Sequence, residues 1–130
     1  MTDLSSMFYE CKSLSDIKGL DKWNVSNCES LCFMFFKCSS LSDITPLTNW
    51  DVSNCTNFIH MFEGCSSLTK ITQLTEWNVS KYADFSCMFK GCSSLSDITG
   101  LEKWKSKKPN IDFYNMFSNC LLDLNLIEKK

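Results

Sequence analysis

The side chains able to do chemistry are few in kind: nine cysteines, a single histidine and a set of regularly placed aspartates. Cys11, Cys38, Cys65, Cys92 and Cys120 each close a Met-Phe-x-x-Cys cassette. Thiols can ligate zinc, but no Cys-x-x-Cys pair occurs and His60 is the only histidine, so the pattern predicts no metal site. His60 has no acid at the equivalent place of another cassette and stands alone as a candidate base. Asp16, Asp43 and Asp97 recur at the same step. Paired carboxylates can act as acid and base, or hold calcium. The intervening positions are filled by large apolar residues, which leaves no pocket for such chemistry. The chain is therefore expected to be non-enzymatic, with no cofactor and no metal.

The cassettes start at Met7, Met34, Met61, Met88 and Met116, a period of about 27 residues that lengthens by one at the last step. Trp23, Trp50, Trp77 and Trp104 keep the same period. A repeat of this length means stacked supersecondary units, each burying its apolar side against a neighbour.

Within residues 23–50, Asn24, Val25, Ser26 and Asn27 carry turn chemistry. Ser26 stands as a helix N-cap, and Glu29 completes a capping box. Cys28, Leu31, Met34, Phe35 and Cys38 then follow at the spacing of one α-helical stripe. Cys55, Phe58, Met61, Phe62 and Cys65 repeat it. Gly64 and Gly91 sit where a left-handed residue would end the helix. Leu41 and Ile44 are spaced like the leucines of a leucine-rich repeat, and residues 42–45 predict a short strand pairing in parallel with residues 15–18, 69–72 and 96–99.

The expected fold class is α/β: a right-handed, leucine-rich-repeat-like solenoid with one helix and one short parallel strand per repeat of about 27 residues. Residues 1–130 form a single solenoid domain of about five rungs, with an atypical C-terminal cap over 105–130 that includes a last strand at 121–127. Helices stack about 9 Å apart and strands about 4.8 Å, so the stack should curve with its strands inside. The helical spacing also exceeds the Cα separation of about 7 Å that a disulfide tolerates. The periodic cysteines are accordingly expected as buried free thiols, all nine reacting only after unfolding, which favours an intracellular or virion-associated location.

The segment Trp50-Asp51-Val52-Ser53-Asn54-Cys55-Thr56-Asn57-Phe58, followed by Met61-Phe62-Glu63-Gly64-Cys65-Ser66-Ser67-Leu68, resembles the BspA-like leucine-rich repeats of bacterial surface proteins. The resemblance runs over roughly residues 4 to 120. It departs at Cys28, Cys55 and Tyr82, where the repeat usually has valine. It implies a surface or adhesion-type protein with no catalytic residues.

Composition narrows the partners. Formal net charge is -2, and all 13 basic residues are lysine. Without arginine's planar fork, specific nucleic-acid reading is not expected. No run of about 18 apolar residues exists to enter a membrane. The opening residues have neither the basic start nor the apolar stretch of a signal peptide. The candidate binding residues are those that vary between repeats: Asp16, Asp43, Lys70 and Asp97 on the concave strand face, and Tyr9, Phe33 and Phe36 grouped near the N-terminal end. The first rung lacks a cap. The expected function is a repeat scaffold for protein–protein interaction, contacting a partner or itself through that N-terminal face. The alternatives are a subunit of a shell, filament or virion that stacks through its ends, and a fragment of a surface adhesin.

Overall fold

The computed structural model describes residues 2–121, and in it successive repeats stack as coils in which neither the expected helix nor the expected strand forms. Three single turns of 3-10 helix occupy Leu20–Lys22, Thr45–Leu47 and Thr72–Leu74. Two short helices lie towards the C-terminal end, α1 (Glu102–Lys107) and α2 (Phe113–Met116). Strand-like pairing is confined to isolated parallel bridges, Asp3 with Ser30, Ser30 with Asn57, Asn57 with Asp84, and Lys70 with Asp97. Among the described residues there is no sheet. The α/β solenoid with a helix and a strand in every repeat is thus overturned.

The reason lies in where the amides go. The N–H groups of Leu31, Phe33, Phe35 and Lys37 donate forward, to the carbonyls of Asn57, Ile59, Met61 and Glu63 in the next coil. Those of Met34, Phe36 and Cys38 donate three residues back within their own coil. An α-helix would send every interior amide four residues back. The alternation needs a left-handed residue at every fourth position: Phe33 (φ 57°) and Lys37 (φ 58°), and likewise Ser6 and Glu10, His60 and Gly64, Cys87 and Gly91. Overlapping four-residue turns return apolar side chains at three- and four-residue intervals, which is also the signature of a helical stripe. Ser26 caps no helix; its N–H and hydroxyl both donate to Asn24 Oδ1, at 3.0 and 2.7 Å.

On the opposite flank, the residues expected as strands are taken up by side-chain turns. The amides of Lys18, Thr45 and Thr99 bond the carboxylates of Asp16, Asp43 and Asp97 at 2.9, 3.0 and 3.0 Å. Pro46 has no amide to give a ladder.

The pitch is also corrected. Phe35, Phe62, Phe89 and Phe117 stack in a column with centroid separations of 5.3, 5.5 and 5.4 Å and planes within 8°, 5° and 6°. That step is close to the spacing of paired strands, about 4.8 Å, and far from that of packed helices. The argument for curvature, which needed a wide helical side, goes with it.

Side-chain donors complete the stack, and each reaches the preceding coil. The indoles of Trp50, Trp77 and Trp104 donate to the carbonyls of Leu20, Leu47 and Leu74, at 2.8, 2.8 and 3.2 Å. The thiols of Cys38, Cys65, Cys92 and Cys120 donate to those of Phe8, Phe35, Phe62 and Phe89, at 3.1, 3.2, 3.1 and 3.0 Å. Ser40 and Ser67 hydroxyls reach Lys12 and Ser39 in the same sense. The recurring Trp, Cys and Ser are thereby explained as one set of inter-coil donors.

Near the end the pattern changes. Asp112 caps α2 by accepting from the Asn115 amide at 3.0 Å. The final strand expected at 121–127 lies, beyond Leu121, outside the described residues. Among the described residues no helix is long and apolar enough to cross a membrane.

Candidate functional site

Asp16, Asp43, Lys70 and Asp97 fall on one exposed flank at successive coils. Lys70 lies between Asp43 and Asp97 and adds favourable charge to both. Hydrogen bonds from the hydroxyl and then the amide of Thr45 hold Asp43 below the usual carboxylate value, and Thr99 does the same for Asp97. These carboxylates are therefore engaged in building their own turns, with one lysine already beside two of them.

Tyr9, Phe33 and Phe36 do converge. Tyr9 stacks on Phe36 at 4.8 Å, Phe33 meets Phe36 edge-on at 5.3 Å, and Tyr9 and Phe33 are 6.1 Å apart. Their exposure differs. Phe36 is buried, covered also by Lys37, whose ammonium sits 5.3 Å from the ring. Phe33 is half-buried, whereas Tyr9 and Met7 are each 47% exposed. The outer edge of the patch is thus Tyr9, and Met7 is a second exposed side chain of the same coil. Met7 escaped the sequence reading because its counterparts Met34, Met61, Met88 and Met116 are all core residues.

The first coil has a further property. Its amides at Leu4, Ser6, Phe8 and Glu10 donate forward to the second coil. The carbonyls of Ser5, Met7 and Tyr9, which stand where Cys32, Met34 and Phe36 accept those bonds, have no donor among the described residues. Trp23, the first of the tryptophan column, is half-buried, and among the described residues no carbonyl meets its indole as one does for Trp50, Trp77 and Trp104. One edge of the stack therefore presents a row of main-chain acceptors beside an unmatched indole donor.

His60 is less solitary than its sequence context suggests. Its ring stacks on Phe33 at 4.6 Å, and its Nδ1 lies 3.3 Å from a Glu63 carboxylate oxygen. Cys87, at the same register one coil on, brings its sulfur to the same place. No linear motif marks these three residues; only the stacking step makes residue 87 a neighbour of residue 60.

The thiols are all free, but not uniformly hidden. Cys28, Cys38, Cys55, Cys65 and Cys92 are buried, Cys32, Cys87 and Cys120 are intermediate, and Cys11 is exposed. The expectation that all nine wait for unfolding fails at Cys11, which is exposed.

The profile of one family, described as "Mycoplasma protein of unknown function, DUF285", matches residues 2–127. No curated protein and no solved structure matches the chain.

Proposed function

The chain belongs to the DUF285 family, and from that premise we propose that it is a non-enzymatic protein-binding stack whose contact edge is the first coil. The observation that carries this reading is the acceptor row of Ser5, Met7 and Tyr9, flanked by the exposed Met7 and Tyr9 side chains. Unpaired main-chain groups in a row are a template for another chain's backbone. Exposed methionine and tyrosine supply adaptable and rigid apolar contact beside it. The partner is a protein segment in extended or coiled form that offers amides to the three carbonyls and a carbonyl to the Trp23 indole.

The same geometry ranks the alternatives. Stacking of identical chains end to end needs a matching row of amides at the far end. Among the described residues, two of the three last-coil amides that stand where Cys87, Phe89 and Gly91 donate forward turn inward instead, Asn115 to the Asp112 carboxylate and Phe117 to the Phe113 carbonyl. A different protein is therefore favoured over a homopolymer. The finer kinship with BspA-like surface repeats rests on the cassette residues themselves and is part of this proposal: it points to a contact made at a surface.

The test is capture of a partner from the native source by the full chain, compared with Met7→Lys and Tyr9→Lys, and with Tyr82→Lys as a control at a distant exposed site. We expect the wild type and the Tyr82 variant to retain one common partner, and the Met7 and Tyr9 variants to bind it at least about tenfold more weakly. Equal capture by all four proteins would remove the first coil as the contact edge.

A further inference from the structure

We infer that His60, Glu63 and Cys87 form a binding site for a thiophilic divalent cation, zinc above all, that ties the third coil to the fourth. The ligating atoms, His60 Nδ1, a Glu63 carboxylate oxygen and Cys87 Sγ, all lie within 4.8 Å of one another. Tetrahedral zinc holds nitrogen, oxygen and sulfur at about 2.0–2.3 Å, which puts donors about 3.3–3.8 Å apart. Closing the set requires side-chain movements of about 1 Å.

Nδ1 of His60 is the telling atom. It is shielded from solvent and makes no hydrogen bond, although a Glu63 oxygen is only 3.3 Å away. The approach is not aligned for a proton between them. A buried polar atom without a partner calls for an explanation; a cation shared by the imidazole, the carboxylate and the thiolate supplies one. The ring is already held, stacked on Phe33 at 4.6 Å with an interplanar angle of 18°. The His60 and Glu63 side chains remain 28% and 17% exposed, so an ion can reach them from solvent.

The donor set selects the ion. Calcium and magnesium take oxygen ligands, whereas one nitrogen, one oxygen and one sulfur suit zinc. Three protein ligands leave a fourth position for water. Binding displaces the Cys87 thiol proton to solvent, so affinity should rise with pH.

The experiment uses the full chain, reduced and stripped with chelator, in a Cys11→Ser/Cys32→Ser/Cys120→Ser background that removes the other exposed and half-buried thiols. Zinc chloride alone is titrated in by calorimetry. We expect one saturable equivalent, weakened at least about tenfold by Cys87→Ser and by His60→Gln. Cobalt in place of zinc should give a thiolate charge-transfer band that Cys87→Ser abolishes. Should either variant fail to fold by dichroism, Glu63→Gln carries the test, since its side chain lies on the partly exposed flank. A tenfold loss there supports the site. No saturable equivalent in the parent, or an affinity untouched by the folded variants, overturns it.

Discussion

Cys38, Cys65 and Cys92 are small apolar residues that also donate, and their S–H groups reach carbonyls that each already accept one amide. Burial pushes these thiols up from an ordinary value of 9.0: Cys38 to about 11, with Cys65 and Cys92 raised further. Cys55 rises to about 12 and Cys120 to about 11 by the same cause. The sign follows directly. An unfolded chain releases these protons near pH 9.0, whereas the folded chain keeps them until pH 11 or 12. Their contribution to stability is complete below pH 9.0 and is lost as the pH climbs through that window. Each thiol released only by unfolding lowers stability by about 1.4 kcal/mol per pH unit there. A melting temperature that falls steeply above pH 9, measured by dichroism, is the expected result; a flat profile to pH 11 would contradict the buried-thiol column.

At the scale of the single coil, the left-handed positions decide what is tolerated. Lys37 and Gly64 are counterparts in adjacent coils, with φ of 58° and 79°. A Cβ at Gly64 would lie 2.9 Å from Lys37 Cγ and 3.3 Å from its Cα, whereas at Gly91 it would find nothing nearer than 3.7 Å. An L side chain in this region costs about 1–2 kcal/mol even without a clash. Gly64→Ala should therefore lose about 2 kcal/mol and Gly91→Ala about 1 kcal/mol in urea unfolding. In a Lys37→Gly background the cost at Gly64 should fall to about that at Gly91, a coupling that a double-mutant cycle reads directly.

The coil also shows how far the sequence could be read. The period, the tryptophan column and the left-handed glycines at 64 and 91 were visible in the pattern of residues. The helix was not there to be found: Leu31, Met34, Phe35 and Cys38 recur as a helical stripe would, because four-residue turns and helical turns return side chains at nearly equal intervals. What separates the two is the bulky residue at φ near 60°, Phe33 or His60, and nothing in a side chain of that kind announces such a conformation. The candidate site was legible in the same partial way. Ser6, Phe33, His60 and Cys87 share one register, but the approach of Glu63 depends on the turn that replaced the helix.

In the whole molecule no coil can shelter its own apolar side, so stability passes between neighbours. Phe62 is fully buried between Phe35 and Phe89, whereas Phe8 stands at the first coil, half-buried, with Phe35 and Trp23 beside it. Phe62→Ala should cost about 3–5 kcal/mol, a large part of the stability of a domain this size. Phe8→Ala should cost about 1–2 kcal/mol. Denaturant midpoints will show the difference, and equal losses at both places would speak for a single shared core instead.

The direction of the amide bonds has one more outcome. A two-fold axis would bring the Ser5, Met7 and Tyr9 oxygens against their own images, lone pair facing lone pair, with no proton to place between them. A symmetric dimer through that edge gains no amide-to-carbonyl bond, so a partner seated on those three oxygens would have to bring the amides itself.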